Sequence, residues 1–394
     1  MRDMNGRYAI AGVGQAPSGH VGDIDHWEMC AIAATNAVKN AGLTKGDIDG
    51  VICVDSLAVP HGRRHIVLAE HLGILKAPFV EMLSKGGASP SSGLLMAMMA
   101  IDSGQATNVL VVGVDNVLSR RGREGARQLG PTIAHNLEFE VPYGMYMMVE
   151  YALFTRRWMH EFGWSAEELA QVAVAARKFA RLNPNAIFHT KPEITVDDVM
   201  ESPMIASPNR RLMCSAFADG GGAFVVTSAE RAKATTEHPI LVKGIAASNT
   251  YYFFGKWPNI VEFPDEMIRG VADATFEAAD MERSDVDVIA VPDPVVASVP
   301  MVLQSAGFSG PGEGAEFLQE GALGPDGRYK VNTHGGALSF GLPGAAAQWP
   351  HFLEVCYQLQ GDAAARQVPG ATVGFVYNRS GGGSQHAASL LQAI

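Results

Sequence analysis

The chain has 394 residues, 47% of them apolar and 18% charged, with 43 glycines and a formal net charge of −11. That length and composition describe a globular α/β protein with a sizeable core, and the acidic balance argues against nucleic acid or an anionic membrane as main partner, because the overall field repels both. Four widely spaced cysteines without CxxC show neither a zinc site nor a disulfide framework; with no charged-then-apolar leader and no membrane-length apolar run, the expected compartment is the cytoplasm.

Residues 7–13 (RYAIAGV) read as a strand ending at Gly14, and residues 26–41 as a helix closed by Gly42. In LTKGDIDGVICVDS, Thr44 is the cap, Asp47 and Asp49 mark the turn, and residues 51–54 are a strand. Residues 79–83 form a short strand, SKGGASPSSG a small-residue turn, the segment to Asp102 a helix, and residues 108–115 (NVLVVGVD) another strand. Leu94, Leu95, Met96, Met98, Met99 and Ile101 leave that helix almost no polar face, so it is expected to be central and covered all round. Its first turn of Gly, Ala, Ser and Pro serves either close backbone packing or the presentation of N–H donors to a ligand.

Residues 118–208 read as an insertion. It contains PYGMYMMVEYALFTRRWMHEFG, a Met-rich and aromatic helix stopped by Gly163, and SAEELAQVAVAARKFARLNP, a helix with a Ser165–Glu168 capping box ended by Asn183-Pro184. Arg156, Arg157, Arg177, Lys178, Arg181 and Lys191 make it locally basic, as a solvated helix face or as a contact for nucleotide phosphates. Residues 219–226 and 240–249 are further strands. A helix–turn–strand sentence then recurs: D-I-D-x-V-I from Asp47 reappears as D-V-D-V-I from Asp285, 238 residues on, which implies two similar α/β halves. VNTHGGALSFGLPG at 331–344 reads as a strand end, a Gly-Gly turn and the start of a helix through Ala347. GATVGFVYNRSGGGSQHA at 370–387 reads as a strand entering a triple-Gly turn, and neither stretch has the spacing of a phosphate loop.

In order along essentially the whole chain, SKGGASPSSGLLMAMMAI, VVGVDN, KPEITVDDVMESPMIASP, MCSAFADGGGAFVVTS, VPDP, NTHGG and GGGSQHA resemble the thiolase superfamily. The nearest likeness is to its sterol-carrier or lipid-transfer-protein-like branch of acyl-CoA thiolases and aldolases. The resemblance implies a five-layered αβαβα fold from two similar halves, residues 1–235 with a loop domain inserted at about 118–208, and residues 236–394. It also implies a homodimer, expected to pair through the strand at 108–115 as an exposed apolar edge. The substrate implied is a CoA thioester, with no tightly bound cofactor and no metal. Branches without an intact catalytic set further imply a small OB-fold and zinc-ribbon partner protein that completes the acyl-CoA tunnel.

An ordinary thiolase needs a nucleophilic Cys, a His and a second Cys. The resemblance places Pro90, Leu342 and Arg379 at or near those positions, with Ser89 beside the first. It therefore implies retro-aldol cleavage of a 3-hydroxyacyl-CoA, which asks for a base and for donors to a thioester enolate. The alternatives are acyl transfer with a non-Cys nucleophile such as Ser89, and a non-catalytic acyl-CoA-binding subunit. Candidate catalytic residues are His334 in NTHGG, Tyr251 and Tyr252 in NTYYFFG, Asp293 in VPDP, and Ser89. Gly86 and Gly87 with Ser89 are the expected oxyanion-holding turn, and Asn332, Gly335, Gly336, Gly382 and His386 the other expected binding residues. Read structurally, the same side chains are a loop hydrogen bond, an aromatic wall, a turn-capping carboxylate and a structural cap. Cys214 lies where relatives carry a Cys that is not the nucleophile, and Cys30, Cys53 and Cys356 read as core.

Overall fold

The computed structural model describes residues 4–122, 138–250, 262–380 and 383–394. β-strands and helices alternate from the start: β1 (Tyr8–Gln15), α1 (His26–Asn40), β2 (Gly50–Val54), α2 (Arg64–Leu72), β3 (Phe79–Leu83), α3 (Ser89–Asp102) and β4 (Val109–Asp115). The Asp25 carboxylate accepts the Trp27 N–H at 2.8 Å to begin α1, and Gly42, at φ 66°, leads the chain out of it. The insertion contributes α4 (Met147–Phe162), α5 (Ala166–Arg181), α6 (Val196–Glu201) and the hairpin β5 (Met204–Ala206) with β6 (Asn209–Arg210). The capping box opens α5 as expected: Ser165 Oγ accepts the Glu168 N–H at 3.1 Å while the Glu168 carboxylate accepts the Ser165 N–H at 2.7 Å. After β7 (Gly220–Ser228) and α7 (Ala229–Thr235) come β8 (Ile240–Asn249), α8 (Glu262–Ala279), β9 (Val288–Ala290), α9 (Ser298–Ser305), α10 (Trp349–Gln360), β10 (Val373–Ser380) and β11 (Gln385–Ala393).

Among the described residues the main sheet has the order β3-β2-β4-β7-β1-β8-β11-β10-β9. β2 runs parallel to β3 and β4, and β10 parallel to β9; the remaining pairs are antiparallel. β1 meets β8 only where Ala9 lies opposite Leu241 and Ile10 opposite Ile240, so two smaller sheets join at a short seam. Between those sheets lie α3 and α10. Leu94 and Met98 of α3 with Trp349, Phe352 and Cys356 of α10 share one core with Ile52, Val111 and Phe224 from one side and Val242, Val376 and Leu391 from the other. α1 and α2 cover the outer face of the first sheet, and α8 and α9, joined by α5, cover that of the second. The result is the five-layered αβαβα thiolase fold.

The sequence repeat is also a repeat of hydrogen bonds. The Thr44 N–H donates to the Asp47 carboxylate at 2.9 Å, and the Glu282 N–H to that of Asp285 at 2.8 Å. Two residues on, the Asp49 carboxylate accepts the Thr107 and Asn108 N–H groups, each at 2.8 Å, while Asp287 accepts those of Thr372 at 2.8 Å and Val373 at 2.9 Å. Each aspartate pins the start of the neighbouring parallel strand, β4 in one half and β10 in the other.

The strand at 108–115 is not an edge. β4 lies between β2 and β7 with every residue buried, because a continuous apolar run suits a strand covered on both faces. The open edge is β3, where Glu81 and Met82 are exposed. Nor is α3 covered all round: Met99 is 57% exposed and Leu95, Met96 and Ile101 are half-buried, since the sheets and α10 close the rest of its circumference and leave that stripe open. The helix expected to run from the Gly-Gly turn through Ala347 is also replaced. Gly335, Gly336 and Gly341 have φ of 110°, 60° and 120°, so the chain makes a π turn at Gly336–Phe340 and a 3-10 turn at Gly344–Ala346, and α10 begins only at Trp349.

Candidate active site

The head of α3, the end of β10 and the approach to α10 meet in one knot. A Cβ on Gly86 would stand 2.4 Å from Ser380 Oγ, and one on Gly87 2.6 Å from the Arg379 carbonyl oxygen, so only glycine fits either place. Gln348 ties the pieces together: its Oε1 accepts the Arg379 N–H at 3.1 Å and the Asn378 amide at 3.0 Å, and its Nε2 donates to the Arg379 carbonyl at 2.7 Å. Ser91 Oγ donates to Asn378 Oδ1 at 2.7 Å.

These contacts occupy donors that the helix head was expected to offer. The Ala88 N–H donates to the Lys85 carbonyl at 2.9 Å, the Ser89 N–H to that of Gly86, and the Ser91 N–H to Asn378 Oδ1 at 3.3 Å; Pro90 has no N–H. Ser89 Oγ is buried and accepts the Trp349 indole N–H at 3.0 Å. Trp349 in turn stacks on Phe224 with ring centroids 5.2 Å apart and lies over Gly113, where a Cβ would approach the indole to 2.1 Å. At this knot the small residues make room for backbone and indole. Leu342 is held by its backbone, donating to Ala216 at 2.8 Å and accepting from Ala218 at 3.1 Å, and carries no base.

A second polar cluster follows β9. Asp293 caps the π turn, accepting the Ala337 and Leu338 N–H groups at 2.8 and 3.2 Å and the His351 Nε2–H at 2.8 Å. His334 is buried, with its ring 4.5 Å from that of His351 in a T-shaped contact, and its two nitrogens have no hydrogen-bond partner among the described residues. Burial first, then the charges of His351 and Arg366, push its pKa well below the ordinary value. Asn332 makes two 2.9 Å bonds to the backbone of Val291. Cβ atoms on Gly335 and Gly336 would meet Ala180 of α5 at 2.8 Å and the Asp293 carboxylate at 2.0 Å. Asn332, His334, Gly335, Gly336 and Asp293 are thus brought together, beneath α5.

His386 stands at the other glycine turn. Its Nε2 donates to the Gly383 carbonyl at 2.6 Å, which leaves Nδ1 to accept the Tyr377 O–H at 2.5 Å. Burial and the Arg379 charge push its pKa down to about 4, so the ring is neutral. Tyr251, Tyr252 and Gly382 lie outside the described residues.

Between α4 and the end of β10 is a narrow cavity of about 10 Å³, lined by Tyr151, Trp158, Val295, Ser298, Met301 and Arg379 among others. Arg379 is 4% exposed; its guanidinium carbon lies 5.7 Å over the Tyr151 ring, and neither terminal nitrogen has an acceptor among the described residues. Glu150, one residue before Tyr151, is buried too. Burial raises its carboxyl pKa to about 8 against the pull of Arg379, and Glu140 adds to the rise. Arg379 enters the sequence reading only as a missing cysteine, and Glu150, Tyr151 and His351 do not enter it as site residues. The available signal was a charged side chain inside an otherwise apolar run, in GFVYNRS and in MMVEYALF.

All four thiols are buried. Burial pushes Cys53 up to about 11 and Cys214 up to about 12, and raises Cys30 and Cys356 as well. On the basic face of the insertion, Arg157 pairs with Glu161 at 2.9 Å and Arg181 with Glu193, while Arg177 lies 4.4 Å over Phe188 and donates to the Pro192 carbonyl at 3.1 Å. Among the described residues no group of three or more His, Cys, Asp or Glu side chains is arranged to hold a metal ion, and no helix is long and apolar enough to cross a membrane.

Residues 9–230 match the thiolase N-terminal domain family and residues 253–393 the thiolase C-terminal domain-like family. An acetyl-CoA acetyltransferase of Methanothermobacter thermautotrophicus is 30% identical over 99% of both chains. A steroid side-chain-cleaving aldolase of Thermomonospora curvata is also 30% identical, over 86% of this chain and 87% of its own. Among solved structures, an Ltp2-ChsH2(DUF35) aldolase superposes with a TM-score of 0.84 at 26% identity, covering 99% of this chain and 98% of that one. The chain belongs to the thiolase superfamily, alongside sterol-carrier-like thiolases and side-chain-cleaving aldolases.

Proposed function

We propose that the protein breaks, or in reverse makes, the Cα–Cβ bond of a 3-hydroxyacyl-CoA by a retro-aldol reaction that forms no acyl-enzyme. The observation that carries this is the state of its nucleophiles. Ser89 Oγ is buried as the acceptor of the Trp349 N–H, Leu342 supplies no base, and burial holds each cysteine as a thiol. Claisen chemistry needs an activated nucleophile, whereas retro-aldol cleavage needs a base and a group that holds enolate charge. Likeness to the side-chain-cleaving aldolase favours the same reading, and the equally identical acetyl-CoA acetyltransferase supports the shared thioester framework. His334 is enclosed with His351 and Phe340, so we assign the base to Tyr251 or Tyr252.

We further assign a homodimer through the open edge of β3, with Met82 and Met99 as its exposed apolar side chains, and a cytoplasmic location. A small OB-fold and zinc-ribbon partner is part of the same reading, supported by the Ltp2-ChsH2(DUF35) likeness. Incubation of the full chain, alone and with copurifying protein, tests the reaction against 3-hydroxyacyl-CoA and, separately, 3-ketoacyl-CoA plus free CoA. Release of an aldehyde or ketone from the first supports it. Acyl transfer from the second, or loss of activity on alkylation of Cys214, refutes it. Inertness toward both with CoA-ester binding retained identifies a non-catalytic binding subunit.

A further inference from the structure

A guanidinium removed from water is costly unless its donors are paired. Arg379 is 4% exposed, lines the cavity under α4, and has two terminal nitrogens without an acceptor among the described residues. Its backbone is fixed on both sides by Gln348 and touched by Gly87, which places the residue beside the head of α3. There the N–H groups of Ala88, Ser89 and Ser91 already have acceptors. Charge developing on a thioester oxygen at this place has the Arg379 fork to meet it.

We infer that Arg379 is a catalytic residue whose terminal N–H groups bind the thioester oxygen and stabilise the enolate formed as the Cα–Cβ bond of a 3-hydroxyacyl-CoA breaks. The assignment rests on the retro-aldol reading above. In the step, the β-hydroxyl gives its proton to the general base, and the β-carbon becomes a carbonyl carbon. The Cα–Cβ electron pair moves into the bond between Cα and the thioester carbon, and the thioester π pair moves onto the oxygen held by Arg379. Return of the proton from the base to Cα yields the shortened acyl-CoA and restores the base, so no oxidant or further reactant is consumed. The apolar walls of Tyr151, Val295 and Met301 strengthen an interaction with a charge that exists only transiently. Glu150, with its pKa raised to about 8, keeps its proton at neutral pH.

The test uses Arg379→Met and Arg379→Lys in the full chain with two readouts. One is steady-state cleavage of a 3-hydroxyacyl-CoA; the other is deuterium uptake at Cα of the product acyl-CoA in D₂O, which reports enolate formation without C–C cleavage. Arg379→Met is expected to lower both rates about 100-fold or more while KM and acyl-CoA affinity stay within about threefold, and Arg379→Lys to retain part of the rate. A loss confined to KM, as an anchor for a substrate carboxylate would give, or unchanged exchange in Arg379→Met, overturns the assignment. If the unmodified protein exchanges deuterium but does not cleave, the retro-aldol reading fails and a loss of exchange in the variants still supports Arg379. If it does neither, both fail. Should the Met variant not fold, the Lys variant decides by the same split between kcat and KM.

Discussion

Two buried guanidiniums stand beside strand ends in the two halves of this protein, and their surroundings differ. Arg64, 1% exposed, donates from Nε to the Val54 carbonyl at 3.3 Å, from one terminal nitrogen to that of Val59 at 2.7 Å, and from the other to His26 Nε2 at 2.6 Å, with Trp27 beneath it at 4.9 Å. It braces the end of β2 against α1. Arg379 is nearly as buried and also lies over an aromatic ring, yet its terminal nitrogens meet no acceptor among the described residues. Burial of a charge therefore does not mark a site by itself. What distinguishes the two is their partners, since Arg64 is paired at each nitrogen whereas Arg379 interacts with Tyr151 and Glu150 and its terminal nitrogens lie outside hydrogen-bond geometry among the described residues.

Replacing each arginine by methionine should separate the two roles most strongly. Arg64→Met leaves two carbonyls and His26 without their donor and is expected to cost about 5 kcal/mol in denaturant unfolding, at roughly 1–3 kcal/mol for each orphaned group. Arg379→Met removes a buried charge whose terminal nitrogens make no hydrogen bond among the described residues and should leave stability unchanged or raise it by about 1–4 kcal/mol. Equal destabilisation by the two changes would break the comparison.

Glu150 sharpens it through pH. The carboxyl titrates near 4.5 when unfolded and near 8 when folded. Between those values the unfolded chain releases a proton that the folded chain keeps, so stability falls as pH rises from 4.5 to 8 and levels off above, by up to about 5 kcal/mol. Glu150→Gln should flatten this alkaline loss in unfolding curves at pH 6 and 9.

His26 moves the opposite way. Burial, then the neighbouring Arg64 charge, lowers its pKa from 6.5 to about 4. The unfolded chain therefore binds the extra proton, and stability drops by about 3 kcal/mol as pH falls from 6.5 through 4. In Arg64→Met that acid sensitivity should weaken, because one cause of the shift is gone. The smallest expected effect is at the head of α3. Ser89→Ala orphans the Trp349 N–H and should cost about 1–2 kcal/mol while leaving any measured cleavage rate within about threefold; a collapse in rate at full stability would restore Ser89 as nucleophile.

Features that depend on near neighbours were legible in the chain itself. The Ser165–Glu168 box, the glycine exits from helices, the apolar runs of β4 and β8, and the twin D-x-D turns all rest on hydrogen bonds or sterics spanning a few residues. The ordered motifs carried the superfamily and its layered fold, since each marks a turn or strand end that the architecture needs. Tertiary structure decided which strand is an edge, because that depends on what lies beside it, although the continuous apolar run of β4 and the Glu81 of β3 are consistent with their places. It also decided which polar groups are already occupied. Ser89 meets an indole 260 positions away, Ser91 an amide 287 away, and Asp293 an imidazole 58 away, while Arg379 meets no acceptor among the described residues. A polar group's availability is set by partners that folding brings in from distant sequence, which is why the residue types were readable beforehand and their roles were not.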